Sequence, residues 1–240
     1  MNATATQPIK AVLFDLDDTL WPIAPVIVQA ERTLHAWLAQ HAPAVAQFSI
    51  ECLRQRRDAL IAANPRYRVD LWALRHAVLS AAFADSGQDS DGGSKIDAAM
   101  AVFAAARNQV TPFDDVLPNL LRWKARLALG SISNGFADLA AIGMAHHFQV
   151  SLAAHQFGSA KPDPAIFHAA CAALGVAPAQ TVYVGDDLLL DVDGAQKAGL
   201  RAVWINRKNR AIDPALHGHL QPDAICTTLN ELDQWLNQAL

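Results

Sequence analysis

An apolar, β-branched run from Ile9 to Phe14 stops abruptly at Asp15-Leu16-Asp17-Asp18, the pattern of a buried strand delivering carboxylates from its C-terminal end. From Pro22 to about Gln109 the spacing turns helical, as in Val28, Leu34, Trp37 and Leu38, then Leu53, Leu60, Leu71, Leu74, Val78 and Leu79. Trp37 and Trp72 read as core of this helical block. Within it, residues 85–94 form a polar, Gly- and Ser-rich loop whose offsets do not match a calcium-binding loop. After Thr111-Pro112, helices and strands alternate. Helices are expected over Val116–Leu127, Phe136–Met144, Pro164–Leu174, around Ala195–Ala198 and over Leu229–Leu240. Strands are expected over Leu129–Ser133, Val150–Ala153, Thr181–Val184, Ala202–Ile205 and Ala224–Cys226. Alternation with short links specifies an α/β fold: a doubly wound, Rossmann-like parallel sheet core with an inserted helical domain. The boundaries predicted are residues 1–20 and 110–240 for the core and 21–109 for the insert.

Composition narrows the classes. The chain has 240 residues, 52% of them hydrophobic and 18% charged, with a mean hydropathy of +0.12, enough to build a buried core. No apolar run reaches the roughly 18–20 residues a membrane span requires. The first ten residues lack a basic region followed by an apolar one, so a cytoplasmic location without membrane attachment is expected. A net charge of −4 with dispersed basic residues argues against nucleic acid as the main partner. Cys52, Cys171 and Cys226 lie far apart and read as free or buried thiols. His35, His76, His146, His147, His155 and His168 form no zinc-type motif, and neither a GxSxG elbow nor a GxxxxGK[ST] loop is present.

In an open α/β sheet the ligand site lies at the carboxyl ends of the strands. Those positions hold Asp15, Asp17, Asp18 and Thr19, then Ser133-Asn134-Gly135, then Lys161 before a helix, then Gly185-Asp186-Asp187 with Asp191 and Asp193 beyond. Carboxylates converging there repel one another without a cation, and oxygen-only ligands select a hard divalent ion, Mg²⁺. With Lys161 adding a fixed positive charge, the combined field suits a phosphate ester. The Ser133 hydroxyl and the N–H groups of Asn134 and Gly135 are placed to cradle the phosphate.

These segments resemble the four motifs of the haloacid dehalogenase superfamily, in the family's order: Asp15-Leu16-Asp17-Asp18-Thr19-Leu20 its DxDx[TV] motif, Ser133-Asn134-Gly135 its second, Lys161 its third, and Gly185-Asp186-Asp187 with Asp191 its fourth. Asp187 stands where the family usually has Ser or Thr. The resemblance implies that Asp15 is the nucleophile, forming an aspartyl-phosphate, and that Asp17 is the general acid and base. It also implies a Mg²⁺ held by Asp15, the Asp17 carbonyl and Asp186, with Asp187 and Asp191 supporting through water or through Lys161. Thr19 braces the turn, and Asp18 hydrogen-bonds the local backbone. An Asp at position 17 implies phosphomonoester hydrolysis, because relatives with other leaving groups lack it.

An insert directly after the first motif resembles the family's cap, hinged at Trp21 and Pro22, which closes over the site and selects the substrate. Arg54, Arg56 and Arg57 read as a solvated helix face, and Arg66, Tyr67 and Arg68 as candidates for substrate contact. The expectation is a phosphatase of a small phosphorylated metabolite, a sugar phosphate or nucleotide. Two alternatives stand beside it: a phosphosugar mutase or phosphotransferase using the same Asp15 intermediate, and a phospho-accepting regulatory module.

Overall fold

The computed structural model describes residues 7–239; Met1–Thr6 and Leu240, the expected end of the last helix, lie outside it. The elements in order are β1 (Ala11–Phe14), α1 (Ile23–His41), α2 (Ile50–Ala63), α3 (Leu71–Ser86), α4 (Ser94–Arg107), α5 (Val116–Trp123), β2 (Ala128–Ser133), the single turn α6 (Leu139–Ile142) and β3 (Val150–Ala153). Then come α7 (Ala154–Phe157), α8 (Pro164–Leu174), β4 (Thr181–Gly185), α9 (Gly194–Lys197), β5 (Arg201–Ile205), α10 (Pro214–His217), β6 (Ala224–Cys226) and α11 (Leu229–Ala239).

All six strands are parallel, in the order β3-β2-β1-β4-β5-β6. Every residue of β1 is fully buried, and the strand alternation splits it between two layers. Val12 and Phe14 join α5 and α11 on one face, through Leu120, Trp123, Leu232 and Leu236. Leu13 joins α8 on the other, with Ile166, Phe167 and Tyr183. Strand order reverses at β1, whose two neighbours are β2 and β4, so a crevice opens at its carboxyl end. The chain reaches that crevice directly from Phe14 into Asp15.

Helices α1, α3 and α4 build a separate apolar core from Leu34, Leu38, Leu79, Phe83, Met100 and Phe103. Their ends follow from capping. Ser49 accepts the Cys52 N–H at the start of α2, Asp70 accepts that of Ala73 at the start of α3, and Gly87, with φ of 66°, ends α3 in the left-handed region. Residues 87–93 link α3 to α4 as part of the expected polar loop. The insert enters and leaves at one point, where the Phe113 N–H donates to the Leu20 carbonyl at 3.0 Å.

Three expectations need correction. The helix after Thr111-Pro112 ends at Trp123, because the chain turns through Lys124–Arg126 before β2. The helix expected over Phe136–Met144 shrinks to α6, capped by Asp138 and stopped by Gly143 at φ of 82°. Trp72 is not core: it is 37% exposed and packs edge-on against Phe136, whereas Trp37 is half-buried against the α1–α4 core and stacks on His41.

Candidate active site

Lys161 is the centre of a buried charge cluster. Its Nζ donates to Asp15 Oδ1 at 2.6 Å, Asp191 Oδ1 at 2.7 Å and the Tyr183 hydroxyl at 2.9 Å, using all three ammonium hydrogens. Burial opposes its charge, but Asp15 and Asp191 outweigh that and hold the ammonium well above the ordinary lysine range. The Tyr183 hydroxyl in turn donates a hydrogen bond to the Ile132 carbonyl, 3.1 Å away. Lys161 is aimed by a reciprocal pair: its N–H donates to Asn134 Oδ1 at 2.9 Å, and Asn134 Nδ2 donates to its carbonyl at 3.0 Å.

One oxygen each from Asp15, Asp186 and Asp191 lies within 4.8 Å of the others. Lys161 pairs with Asp15 and Asp191, and Arg210 Nη2 with Asp186 Oδ2 at 3.2 Å, so two cations face three carboxylates and one negative charge is left over. Burial first, then repulsion from Asp191 and Asp17, lifts Asp15 to about 8 against the pull of Lys161. Burial, Asp191 and Asp18 lift Asp186 to about 6, with Arg210 opposing. A small hard cation with oxygen ligands fits this donor set and removes the excess negative charge. Asp186 is fixed through its carbonyl, which accepts from Trp204 Nε1 at 2.9 Å and Arg210 Nη2 at 2.6 Å.

The remaining expected residues fall around this cluster. Thr19 Oγ1 donates to Asp15 Oδ2 at 3.2 Å. Asp18, at φ of 58°, accepts the Ile23 N–H at 3.4 Å and so starts α1. Asp191 also accepts the Asp187 N–H at 2.9 Å, inside a wide helical turn, Leu188–Asp193. A Cβ on Gly185 would sit 2.3 Å from the Asp191 carboxyl carbon, so only glycine lets that side chain in. The exposed Asp187 carboxylate caps Leu189 and Leu190, both at 2.8 Å, and does not join the three clustered oxygens. Asp193 faces outward, paired with Lys197 at 2.6 Å. Ser133 Oγ accepts the Gly135 N–H at 3.0 Å.

Asp17 stands apart from the cluster. Trp21 Nε1 donates to its Oδ1 at 2.8 Å, and Nη2 of the buried Arg107 reaches both oxygens, at 2.7 and 2.6 Å. Gly135 lets the pair come close, since a Cβ there would lie 3.0 Å from Asp17 Oδ2. Sequence reasoning missed Arg107: an arginine closing an Ala-rich helix looks like an ordinary C-terminal charge. It also missed Tyr183 and Arg210. The candidates for substrate contact divide. Arg66 and Tyr67 line a groove with Ala154 and His155, and Arg68 lines another that contains Asn134 and Lys161. Arg54 and Arg57, read as a solvated face, line a cavity that reaches Asp17.

The family model for haloacid dehalogenase-like hydrolases matches residues 9–199. The chain is 32% identical over 202 residues to 5-amino-6-(5-phospho-D-ribitylamino)uracil phosphatase YigB of Escherichia coli (strain K12), covering 84% of this chain and 85% of that one. It resembles the crystal structure of a 2-haloacid dehalogenase from Pseudomonas syringae pv. tomato DC3000, with a TM-score of 0.87 and 40% identity over 96% of this chain and 99% of that one. A magnesium-bound HAD-hydrolase, YfnB of Bacillus subtilis, shares the fold, with a TM-score of 0.69 at 19% identity, over 96% of this chain and all of that one. With its motifs gathered at one end of the parallel sheet and its helical cap inserted between β1 and β2, the chain belongs to the haloacid dehalogenase-like hydrolase family.

Proposed function

We propose that this chain is a Mg²⁺-dependent phosphatase of small phosphorylated metabolites, working through an aspartyl-phosphate on Asp15. One observation carries the reading: Asp15, Asp186 and Asp191 converge within 4.8 Å with only Lys161 and Arg210 to balance them, and Asp17 stands beside them but outside the cluster. The relative in Escherichia coli is named for dephosphorylating a phosphorylated uracil derivative. Residues 1–20 and 110–240 act as the catalytic core, and residues 21–109 as the cap.

Asp15 attacks phosphorus in line, its carboxylate aimed by Thr19 and Lys161. The Asp15 and Asp186 carboxylates and the Asp17 carbonyl would hold a Mg²⁺, which would supply charge to offset the phosphoryl oxygens. Lys161 contributes a fixed positive charge at the same oxygens and is held in place by Asp191. The Ser133 hydroxyl, which accepts the Gly135 N–H and keeps its own hydrogen to donate, forms the remaining phosphate wall with the Asn134 N–H. Asp17, oriented by Trp21 and Arg107, protonates the departing oxygen and then takes a proton from the water that cleaves the acyl-phosphate. Asp187 supports the site by capping the turn that carries Asp191.

The test is phosphate release from p-nitrophenyl phosphate. Release in Mg²⁺ and its loss in EDTA support the reading; with a sugar phosphate as substrate instead, an isomerised phosphosugar in place of free phosphate would indicate a mutase. A second reading is dehalogenation, favoured by the name of the 40%-identical structure. Chloride release from 2-chloropropionate, without phosphate release, would decide for it.

A further inference from the structure

A cavity of about 280 Å³ lies between the cap and the site, with Asp17 and Phe136 at its catalytic end and residues of α1–α4 around it. Since Asp17 meets the leaving-group oxygen in the reading above, on which this inference rests, the rest of the leaving group extends into that space. Its volume is at the low end of small-ligand pockets, which run from roughly 300 to 1,000 Å³, so it admits one ring or a short chain. Ile23, Ile27, Leu53, Leu74, Val78 and Phe103 make much of the wall apolar.

The charged lining is unevenly paired. Glu31 is buried and already held by Arg54, whose Nε is 3.1 Å from Oε2. Arg57 pairs with exposed Asp58 at 2.9 Å. Arg75 makes no ion pair or hydrogen bond among the described residues, and its Nε is buried without a partner. Its guanidinium carbon lies 3.5 Å from the centroid of the Phe103 ring, and Phe103 in turn packs against Phe136 at 6.1 Å beside Asp17 and Arg107. Burial pushes Arg75 down to about 10, with Glu31 and Arg57 the charges it senses, so it remains a cation at neutral pH. A half-buried cation whose nearest carboxylate, Glu31, is already bonded to Arg54 has donors to offer, and a carboxylate answers a guanidinium through two parallel hydrogen bonds.

We propose that the cavity selects phosphate monoesters whose leaving group bears a carboxylate, and that Arg75 receives that carboxylate. The aromatic path Phe136–Phe103 then flanks the apolar middle of the leaving group, with the acid Asp17 at one end and Arg75 at the other. Arg75 is a specificity-determining residue in this arrangement.

The experiment compares 4-carboxyphenyl phosphate with phenyl phosphate in Mg²⁺. Wild type is expected to favour the carboxylated ester about 10- to 100-fold in kcat/KM, mostly through KM, the size of a hydrogen bond to a charged group. In Arg75→Met that ratio falls to near one, and Arg75→Lys restores part of it. The ratio does not depend on how much of a variant is folded. A ratio near one in wild type, or one that survives Arg75→Met, overturns the proposal. Calorimetric binding of 4-hydroxybenzoate against phenol provides an arm free of turnover: tighter binding of the carboxylate in wild type but not in Arg75→Met supports it, and equal binding overturns it. Selective binding without release of phosphate from either ester would overturn the phosphatase reading alone.

Discussion

Two buried ion networks sit at the same end of the sheet and differ in balance. Around Asp115, one carboxylate meets one guanidinium: Arg207 Nη1 donates to both oxygens, at 3.0 and 2.9 Å, and the Leu229 N–H adds a third bond at 2.7 Å. Arg207 Nε also holds the Thr19 carbonyl at 2.9 Å, bracing the turn after β1. Around Lys161, one ammonium serves Asp15 and Asp191 while Asp186 adds a third carboxylate nearby, met only by the exposed Arg210 at 3.2 Å, so three carboxylates face two cations. A matched pair is a strut joining the β1 turn, α5 and α11. A mismatched cluster holds charge that folding alone does not neutralise, which is the mark of a place prepared for a cation and a reacting anion.

The strongest way to break this contrast is to remove a carboxylate from each network. Asp15→Asn is expected to lower phosphate release by about 10³-fold or more, measured with p-nitrophenyl phosphate, as loss of a nucleophile does. The same change relieves buried repulsion, so the metal-free variant should melt no lower than wild type. Asp115→Ala does the opposite. It strands Arg207, and urea unfolding should show a loss of about 3–5 kcal/mol.

Magnesium sharpens the difference next. Because Asp15 and Asp186 are lifted to about 8 and about 6, the folded metal-free protein binds protons that the unfolded chain has released, and it loses stability as pH rises from about 4 through those values. The ion pairs with the ionised carboxylates, so its stabilisation grows over the same window. Thermal melts with and without Mg²⁺ should differ more at pH 8 than at pH 5.5, approaching about 2–3 kcal/mol at an ion concentration near one hundred times Kd. An equal shift at both pH values would contradict the mismatch. At the small end, Asp193→Asn removes an outward pair with exposed Lys197, and melting should change by no more than about 0.5 kcal/mol.

The strand-end residues were legible because they follow short apolar runs bounded by acids or glycine, a local signal that survives any packing. Asp15, Lys161 and Asp191 share one cluster, as their positions beside strands and helix starts suggested. Phase and depth were not legible. Helix α2 buries no residue fully, so Arg54 and Arg57 have the sequence texture of a solvent face, yet that face borders a cavity. An enclosed polar wall and an open one look the same along a chain. Trp72 failed in reverse: its size suggested core, but it lies at the cap edge against Phe136. The Asp17–Arg107 pair joins positions far apart in sequence, and neither local periodicity nor motif spacing carries that information. Among the described residues no helix is long and apolar enough to cross a membrane, in line with the hydropathy pattern.

The contact between Leu20 and Phe113 bears on how the chain assembles. β1 must find β2 across the whole insert to complete the sheet, and a long open loop makes that search slow. Helices α1, α3 and α4 have an apolar core of their own, in which α1 packs against α4 from the far end of the insert, so they can collapse as a unit. A collapsed insert whose ends meet turns a loop of roughly 90 flexible residues into a short effective one, and each halving of length recovers about 0.6 kcal/mol of closure entropy. The clasp at the cap's base is therefore also a kinetic shortcut: it lets a strand and its distant neighbour meet almost as if the segment between them were absent.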